Sequence, residues 1–418
     1  VQEGANGVIF ITTKSGKSGA ITVTASGGWE FSNVMDTPDL QSKYIGGGSG
    51  IYTTNASGGW GPHLRPEDTV YDNLGDFLGT GFMQKYDLSI SGGNEKFSAY
   101  ASANYMNNEG VVPNDYKNRL GVYVKGEFNP SDKVKMILST NYIETTSRGF
   151  GNSMSTVYGW AINKDMSDYA LPNGMPNWAN RYDDWSVLNG ASRVDATTSP
   201  YYGRYMDDSE SKSSRVIING SIAYTPIENL TITGKVGYDK GHSSYESYTH
   251  PRFTDDDFAD LSDENKPDAG ELALRSGTYT FQPSRSERLT AQLTANYAWN
   301  VNDNVDLNFF LGGEYSETTS YSAQMGGYDF VLGGDFFSMN NLNDEYLHYG
   351  TGDYQVYLNH TRKNKFGYFG EIRFDYKSMV QLSVTGRVDG SSTLVQCDPV
   401  YFYPSVTGGV ILSELIPG

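Results

Sequence analysis

Gly4-Ala5-Asn6-Gly7-Val8-Ile9-Phe10-Ile11-Thr12-Thr13-Lys14, followed at once by Ser15-Gly16-Lys17-Ser18-Gly19, divides the chain into two kinds of sequence. Val8 to Ile11 is a continuous apolar run, the pattern of a strand buried on both faces. From Ile21 onward the pattern becomes alternation, in segments joined in turn by short polar turns and long loops. The boundary marks a change of architecture.

Working outward from it, each alternating segment has one apolar and one polar face. Before the turn Asn129-Pro130-Ser131-Asp132, Leu120, Val122, Val124 and Phe128 share a face, and Arg119, Tyr123, Lys125 and Glu127 share the other. After it, Val134, Met136, Leu138 and Tyr142 alternate with Lys133, Lys135, Ser139 and Asn141. The rhythm repeats around Pro226–Asn229, Asn300–Asn304 and Lys377-Ser378, and a last strand is predicted at about Ser405–Leu412. Roughly a dozen strands result, each expected near the ten residues that cross a bilayer when tilted.

The tight turns, including Gly92–Glu95, fall on one side, and the long connections, about 32–82, 147–212, 247–285 and 317–364, fall on the other. A membrane barrel with short periplasmic turns and long extracellular loops has this asymmetry. Phe128, Tyr224, Tyr297 with Trp299, and Tyr376 each precede a short turn, where an interfacial girdle places amphipathic rings. Strands favour aromatics in any setting, but recurrence at one end favours the girdle. Polar-face residues such as Arg215, Arg288, Arg373 and Arg387 are expected to line a lumen or to lie against whatever fills it.

Composition agrees. In 418 residues there are 32 Tyr and 48 Gly, with 38% hydrophobic content, so a helical membrane protein is excluded while a barrel is not. With 31 basic against 49 acidic residues the net charge is -18, and no basic stripe is visible, so nucleic acid is excluded as a partner. The single Cys397 can form neither an internal disulfide nor a thiolate metal site.

No catalytic constellation emerges. Gly16-Lys17-Ser18 has Ile11 where a phosphate-binding loop requires Gly, and the glycines of Gly46–Gly50 follow no strand of dinucleotide-binding spacing. The five His residues lack zinc-site spacing, and no cofactor or metal is expected. Asp255-Asp256-Asp257 with Asp260, Asp263 and Glu264 lacks calcium-loop spacing and reads as a solvated acidic loop. The long loops hold four of the six Trp residues, Trp60, Trp160, Trp178 and Trp185, together with Tyr44, Tyr158, Tyr201 and Tyr202. Rings beside Asn and Asp suit stacking on a sugar or peptide, and equally suit folding a large loop over a barrel mouth.

Gly4-Ala5-Asn6-Gly7-Val8-Ile9 with Ile11-Thr12-Thr13-Lys14 and Gly16 resembles the end of the plug domain in SusC-like TonB-dependent transporters (the SusC/RagA family) of Bacteroidetes outer membranes. Gly386-Arg387-Val388-Asp389-Gly390-Ser391-Ser392, followed by Tyr403-Pro404-Ser405-Val406 and Gly408-Gly409, resembles a second signature of that family in mid-barrel. Val1-Gln2-Glu3 and Val410 depart from the family's usual residues.

The resemblance implies an all-β fold: residues 1–14 ending a plug, 15–19 a linker, and 20–418 a transmembrane antiparallel barrel, roughly 12 of about 22 strands. The plug body, its TonB-contacting segment and the remaining strands are then expected outside this sequence. It also implies import of a large nutrient, a glycan oligomer first and a peptide second, with a SusD-like surface lipoprotein, the TonB complex and outer-membrane lipid as partners. Tyr44, Trp60, Trp160, Trp178, Trp185, Tyr201 and Tyr202 are the candidate substrate contacts. Competing readings are a diffusion porin, which would have no plug strand; a secreted adhesin, which would lack one-sided turns; and a glycan hydrolase, which would need paired carboxylates.

Overall fold

The computed structural model describes residues 14–16, 19–52, 59–149, 154–172, 174, 176–177, 199–251, 277–332, 336–343, 347–348, 357–394 and 400–412. Gly4, Ala5, Asn6 and Gly7, Trp178 and Trp185, the acidic run at Asp255 and Cys397 lie outside them.

The chain forms one large antiparallel sheet. Its strands are β1 (Gly19–Ser32), β4 (Gly81–Gly93), β5 (Phe97–Glu109), β6 (Tyr116–Ser131), β7 (Val134–Arg148), β8 (Asp208–Ile227), β9 (Leu230–Thr249), β10 (Thr278–Asn302), β11 (Val305–Tyr328), β13 (Tyr357–Tyr376), β14 (Val380–Ser391) and β15 (Val400–Val410). They pair in sequence order, with the short β12 (Leu347–His348) added to β11. A separate ribbon, β2 (Gly47–Gly48) with β3 (Ile51–Tyr52), and the short helices α1 (Asn73–Phe77), α2 (Met154–Tyr158) and α3 (Pro200–Tyr205) stand in the long connections. Among the described residues no helix is long and apolar enough to cross a membrane.

The register joins the apolar faces into one surface. Phe97, Phe128, Met136 and Ile222 align across β5 to β8, and Leu293, Gly313, Tyr368 and Val388 align across β10 to β14. The same registers align the polar faces. The apolar surface is the open one: Leu138, Leu293 and Leu311 are 62%, 61% and 64% exposed, while Asp389 on the opposite face is 1% exposed. Water would penalise such an arrangement by about 25 cal/mol per Å² of apolar area left uncovered, and lipid removes that penalty. The periodicity that makes the strands therefore also assigns the solvent for each face.

Several strands are longer than the ten residues expected, reaching 25 in β10 and 24 in β11. Only part of each is apolar on its outward side. Moving away from the tight turns, the apolar band closes at Tyr142, whose hydroxyl donates to Glu144 (2.6 Å), and at Tyr315, whose hydroxyl donates to Glu317 (2.9 Å). Tyr86 repeats the arrangement with Gln84 at 3.0 Å. Beyond this second ring the same face carries Lys240 paired with Glu287 (3.3 Å) and Arg362 paired with Glu317 (2.9 Å). The band between the two aromatic rings is roughly ten residues per strand, the length a tilted crossing requires. Backbone pairing needs no apolar side chains, so the ladders continue past it.

The tight turns all lie at one end, and at Lys377-Ser378 both residues have positive φ, 52° and 58°, as a two-residue hairpin turn requires. At the opposite end the long connections run 33–80, 149–207, 250–277 and 329–356, each shorter than its expected range because the flanking strands extend into it. Two connections at that end, 110–115 and 392–399, are themselves short.

Candidate functional site

Two regions carry the chemistry: the polar face of the sheet and a cap of packed loops at its long-loop end.

On the polar face, alternation places Arg215, Arg288, Arg373 and Arg387 on one surface, and the register supplies their partners. Arg215 Nε donates to Asp239 Oδ1 at 2.8 Å in a bidentate pair. Arg373 Nε donates to Glu371 at 2.9 Å, and Ser383 Oγ donates to the same carboxylate at 2.7 Å. Arg387 holds Asp389 through Nε (2.9 Å) and Nη2 (2.7 Å), reaches Glu314 on β11, and lies 5.3 Å from the centroid of the Phe369 ring. Arg288 Nε donates to Thr318 Oγ1 at 3.3 Å. The Gly386–Ser392 signature thus has a physical content. Its Arg and Asp form the ionic cluster, and Ser392 ends the β13–β14 pair by accepting from Asn364 N–H (3.0 Å) and donating to Asn364 O (2.9 Å).

Near the tight-turn end, Lys125 and Lys135 share Glu127 at 3.1 Å and 3.0 Å, and Lys125 also donates to Ser15 Oγ. A Cβ at Gly16 would stand 2.5 Å from Ala99 O, so glycine lets this segment run against the backbone of β5. Residues 15 and 16 therefore sit on the polar face of the sheet.

The cap is a small core of its own. Leu74 and Phe77 of α1, Val157 of α2, Trp160, Met166 and Tyr201 of α3 pack together. Asp72 caps α1 by accepting from Gly75 N–H at 3.0 Å, and Ser199, with Pro200 behind it, caps α3. Asn73 ties two loops: Nδ2 donates to Lys164 O (2.8 Å) and Ala161 O (3.3 Å), while Oδ1 accepts from Met166 N–H (2.9 Å). Tyr169, Tyr201 and Tyr205 stack with centroids 5.6 to 6.2 Å apart, and Tyr201 Oη donates to Asp76 O at 2.8 Å. Burial pushes the Tyr201 phenol up to about 12, with the neighbouring Tyr205 acting in the same direction. Buried Arg204 donates to Pro113 O (2.6 Å) and Gly149 O (3.0 Å), and its pKa is lowered by burial first and then by the charge of Arg148.

The candidate aromatic contacts separate accordingly. Trp160, Tyr201 and Tyr202 are 5%, 8% and 0% exposed and hold the cap together. Tyr44 and Trp60 lie elsewhere: their centroids are 5.7 Å apart, His63 lies 4.8 Å from Tyr44, and Trp60 is 63% exposed. Sequence reading missed the second aromatic ring, although the same-face pairs Tyr142/Glu144 and Tyr315/Glu317 announce it. It missed Asn73 as well, which carries no sequence signal because its partners come from a distant loop.

No protein-family profile matches the chain. The chain is 23% identical over 98% of its length to the TonB-dependent receptor P26 of Formosa agariphila, and 23% identical over 96% of its length to the TonB-dependent receptor P3 of the same organism. It spans 39% and 37% of those proteins. It superposes on the RagAB peptide importer in its closed-closed state with a TM-score of 0.71 at 18% identity, covering 98% of this chain and 46% of that one. For the open-open state the TM-score is 0.70. The likeness to SusC/RagA-like TonB-dependent transporters thus extends over nearly the whole chain. The fold is a transmembrane antiparallel β-barrel wall.

Proposed function

We propose that this stretch of SusC/RagA-like barrel wall works within a TonB-dependent importer of the outer membrane of a Gram-negative bacterium. The solute we assign is one too large for a porin, a glycan oligomer in the first place and a peptide in the second. A SusD-like surface lipoprotein would meet the long-loop end. The observation that carries this reading is the inverted distribution of polarity: an exposed apolar band between two aromatic rings, backed by a face of arginines and carboxylates.

The chemistry is binding. Trp60 offers an exposed ring face to a sugar or a peptide side chain, backed by half-buried Tyr44. The hydrogen bond from Gly46 N–H to Asn163 Oδ1 (2.8 Å) would tie the loop that carries those rings to the loop of the cap, so that less ordering entropy remains to be lost on binding. The contact of residues 15 and 16 with the polar face would give a pull on the preceding segment a direct purchase on β5 and β6.

The test is uptake of fluorescent oligosaccharides and peptides by cells of the source organism with the intact gene, with the gene deleted, and with TonB inactivated. Uptake lost in both mutants is the expected result. Uptake that survives inactivation of TonB would replace the reading with passive diffusion through a porin.

A further inference from the structure

Midway along the polar face, β7 to β11, β13 and β14 surround a niche of about 570 Å³. Four of its side chains are cationic, Lys235, Arg288, Lys365 and Arg387, and two are acidic, Glu314 and Asp389. Arg387 engages both acids, so that cluster is neutralised internally. Arg288 stands beside Asp239 in the register, but Arg215 holds that carboxylate. Neither Arg288 nor Lys235 pairs with a carboxylate among the described residues. A local excess of positive charge therefore sits in a chain of net charge -18.

The two cations flank one row of the wall. In the register, Gly237 and Thr290 face each other, Lys235 lies one row toward the tight turns, and Arg288 lies one row toward the long loops. A Cβ at Gly237 would stand 2.6 Å from Thr290 Oγ1 and 3.0 Å from Asn219 Oδ1. One at Gly367 would stand 2.5 Å from Asp389 Oδ1 and 2.7 Å from Arg387 Nη2. Gly237 thereby admits the Thr290 and Asn219 oxygens against its backbone, Gly367 admits the Arg387–Asp389 pair, and Thr290, Ser316 and Gln292 add neutral polar groups to the lining. Farther out, the same face carries Ser213, Ser243, Ser284 and Ser320, which hydrate a wall without charge. Hydration alone gives no reason to place two cations at mid-wall, Lys235 with no close ion pair among the described residues and Arg288 with only a carboxylate that Arg215 already holds.

We propose that this niche takes an anionic group of the transported solute, a carboxylate or a sulfate ester, between Lys235 and Arg288. The proposal rests on the importer reading and narrows its substrate to acidic oligomers. Charge-assisted hydrogen bonds in a partly shielded wall give such a site both affinity and discrimination against neutral solutes.

The test uses the intact receptor in detergent, with oligogalacturonate, a sulfated galactan oligosaccharide and a neutral maltooligosaccharide of matched length as probes in calorimetry. The variants are Lys235→Gln with Arg288→Gln, and the charge-retaining pair Lys235→Arg with Arg288→Lys. Electrophoretic mobility without heating verifies that each variant is a folded barrel. At least one acidic probe is expected to bind more tightly than the neutral one. The Gln pair should weaken that binding by at least about tenfold and leave the neutral probe unchanged, while the charge-retaining pair recovers most of the loss. Equal affinity for acidic and neutral probes, no binding of either acidic probe, or equal losses of both kinds in the Gln pair would overturn the site. TonB-dependent uptake of the same probes separates the two readings. Energised uptake of the neutral probe alone removes the anion site and leaves the importer standing, whereas uptake that is independent of TonB for every probe removes both.

Discussion

Asp389 and Tyr201 show what single residues decide. Asp389 is 1% exposed and receives both Arg387 contacts, so Asp389→Ala leaves a sheltered guanidinium with Glu314 as its remaining acid partner. A loss of about 3 kcal/mol is expected in urea unfolding of the intact protein in vesicles, against about 0.5 kcal/mol or less for Thr385→Ala on the same strand. For Tyr201 the sign follows from its raised pKa. The folded cap keeps the phenol neutral up to about 12, whereas an unfolded Tyr ionises near its usual 10. Its stabilising effect is therefore complete below about pH 10 and is lost as pH rises through about 12. Hydrogen exchange of the α1 and α3 amides should accelerate across that window. Tyr201→Phe should flatten the dependence while losing about 1 kcal/mol for the bond to Asp76 O. Alternation alone puts Arg387 and Asp389 on one face, so their pairing was readable beforehand. The Arg215–Asp239 pair was not, because it depends on how β8 and β9 are registered.

At the scale of elements, the strands and the cap obey different rules. A strand's outward face is specified by period and by depth, so Leu293→Arg, in mid-band, is expected to lower stability in vesicles by about 2–4 kcal/mol. Thr290→Arg, three residues away on the polar face, should cost far less in the same assay. In the cap, Asn73→Ala removes three hydrogen bonds between two loops and deprives the buried Met166 N–H of its Asn73 acceptor. A loss of about 2–3 kcal/mol in the cap, read as faster limited proteolysis within residues 149–207 with the barrel mobility unchanged, is the expected outcome. The strands were readable because alternation is a one-dimensional signal. Their ends were not, since ladders extend past the last apolar residue into Ser- and Thr-rich rungs. The three short helices fall below the length at which helical periodicity can be seen.

For the molecule as a whole, the two aromatic rings define a slab through which the sheet passes edge to edge. Trp299 stands at the tight-turn boundary on the outward face, Trp160 lies buried in the cap, and Trp60 is exposed at the long-loop end. In single-Trp variants of the intact protein reconstituted with brominated lipid, Trp299 fluorescence should be quenched while Trp60 and Trp160 are spared. Quenching of Trp160 in place of Trp299 would contradict the slab.

The sequence by itself determined the alternation, the end at which the tight turns gather, and which side chains share the apolar face and which the polar one, because each depends only on residues close along the chain. Tertiary structure alone decided the Asn73 link between loops, the division of the loop aromatics into buried Trp160, Tyr201 and Tyr202 and exposed Trp60, and the cation pair around Gly237. These depend on strand register and on contacts between loops far apart in sequence. Such placements follow from the total packing energy of many groups, which no local pattern records.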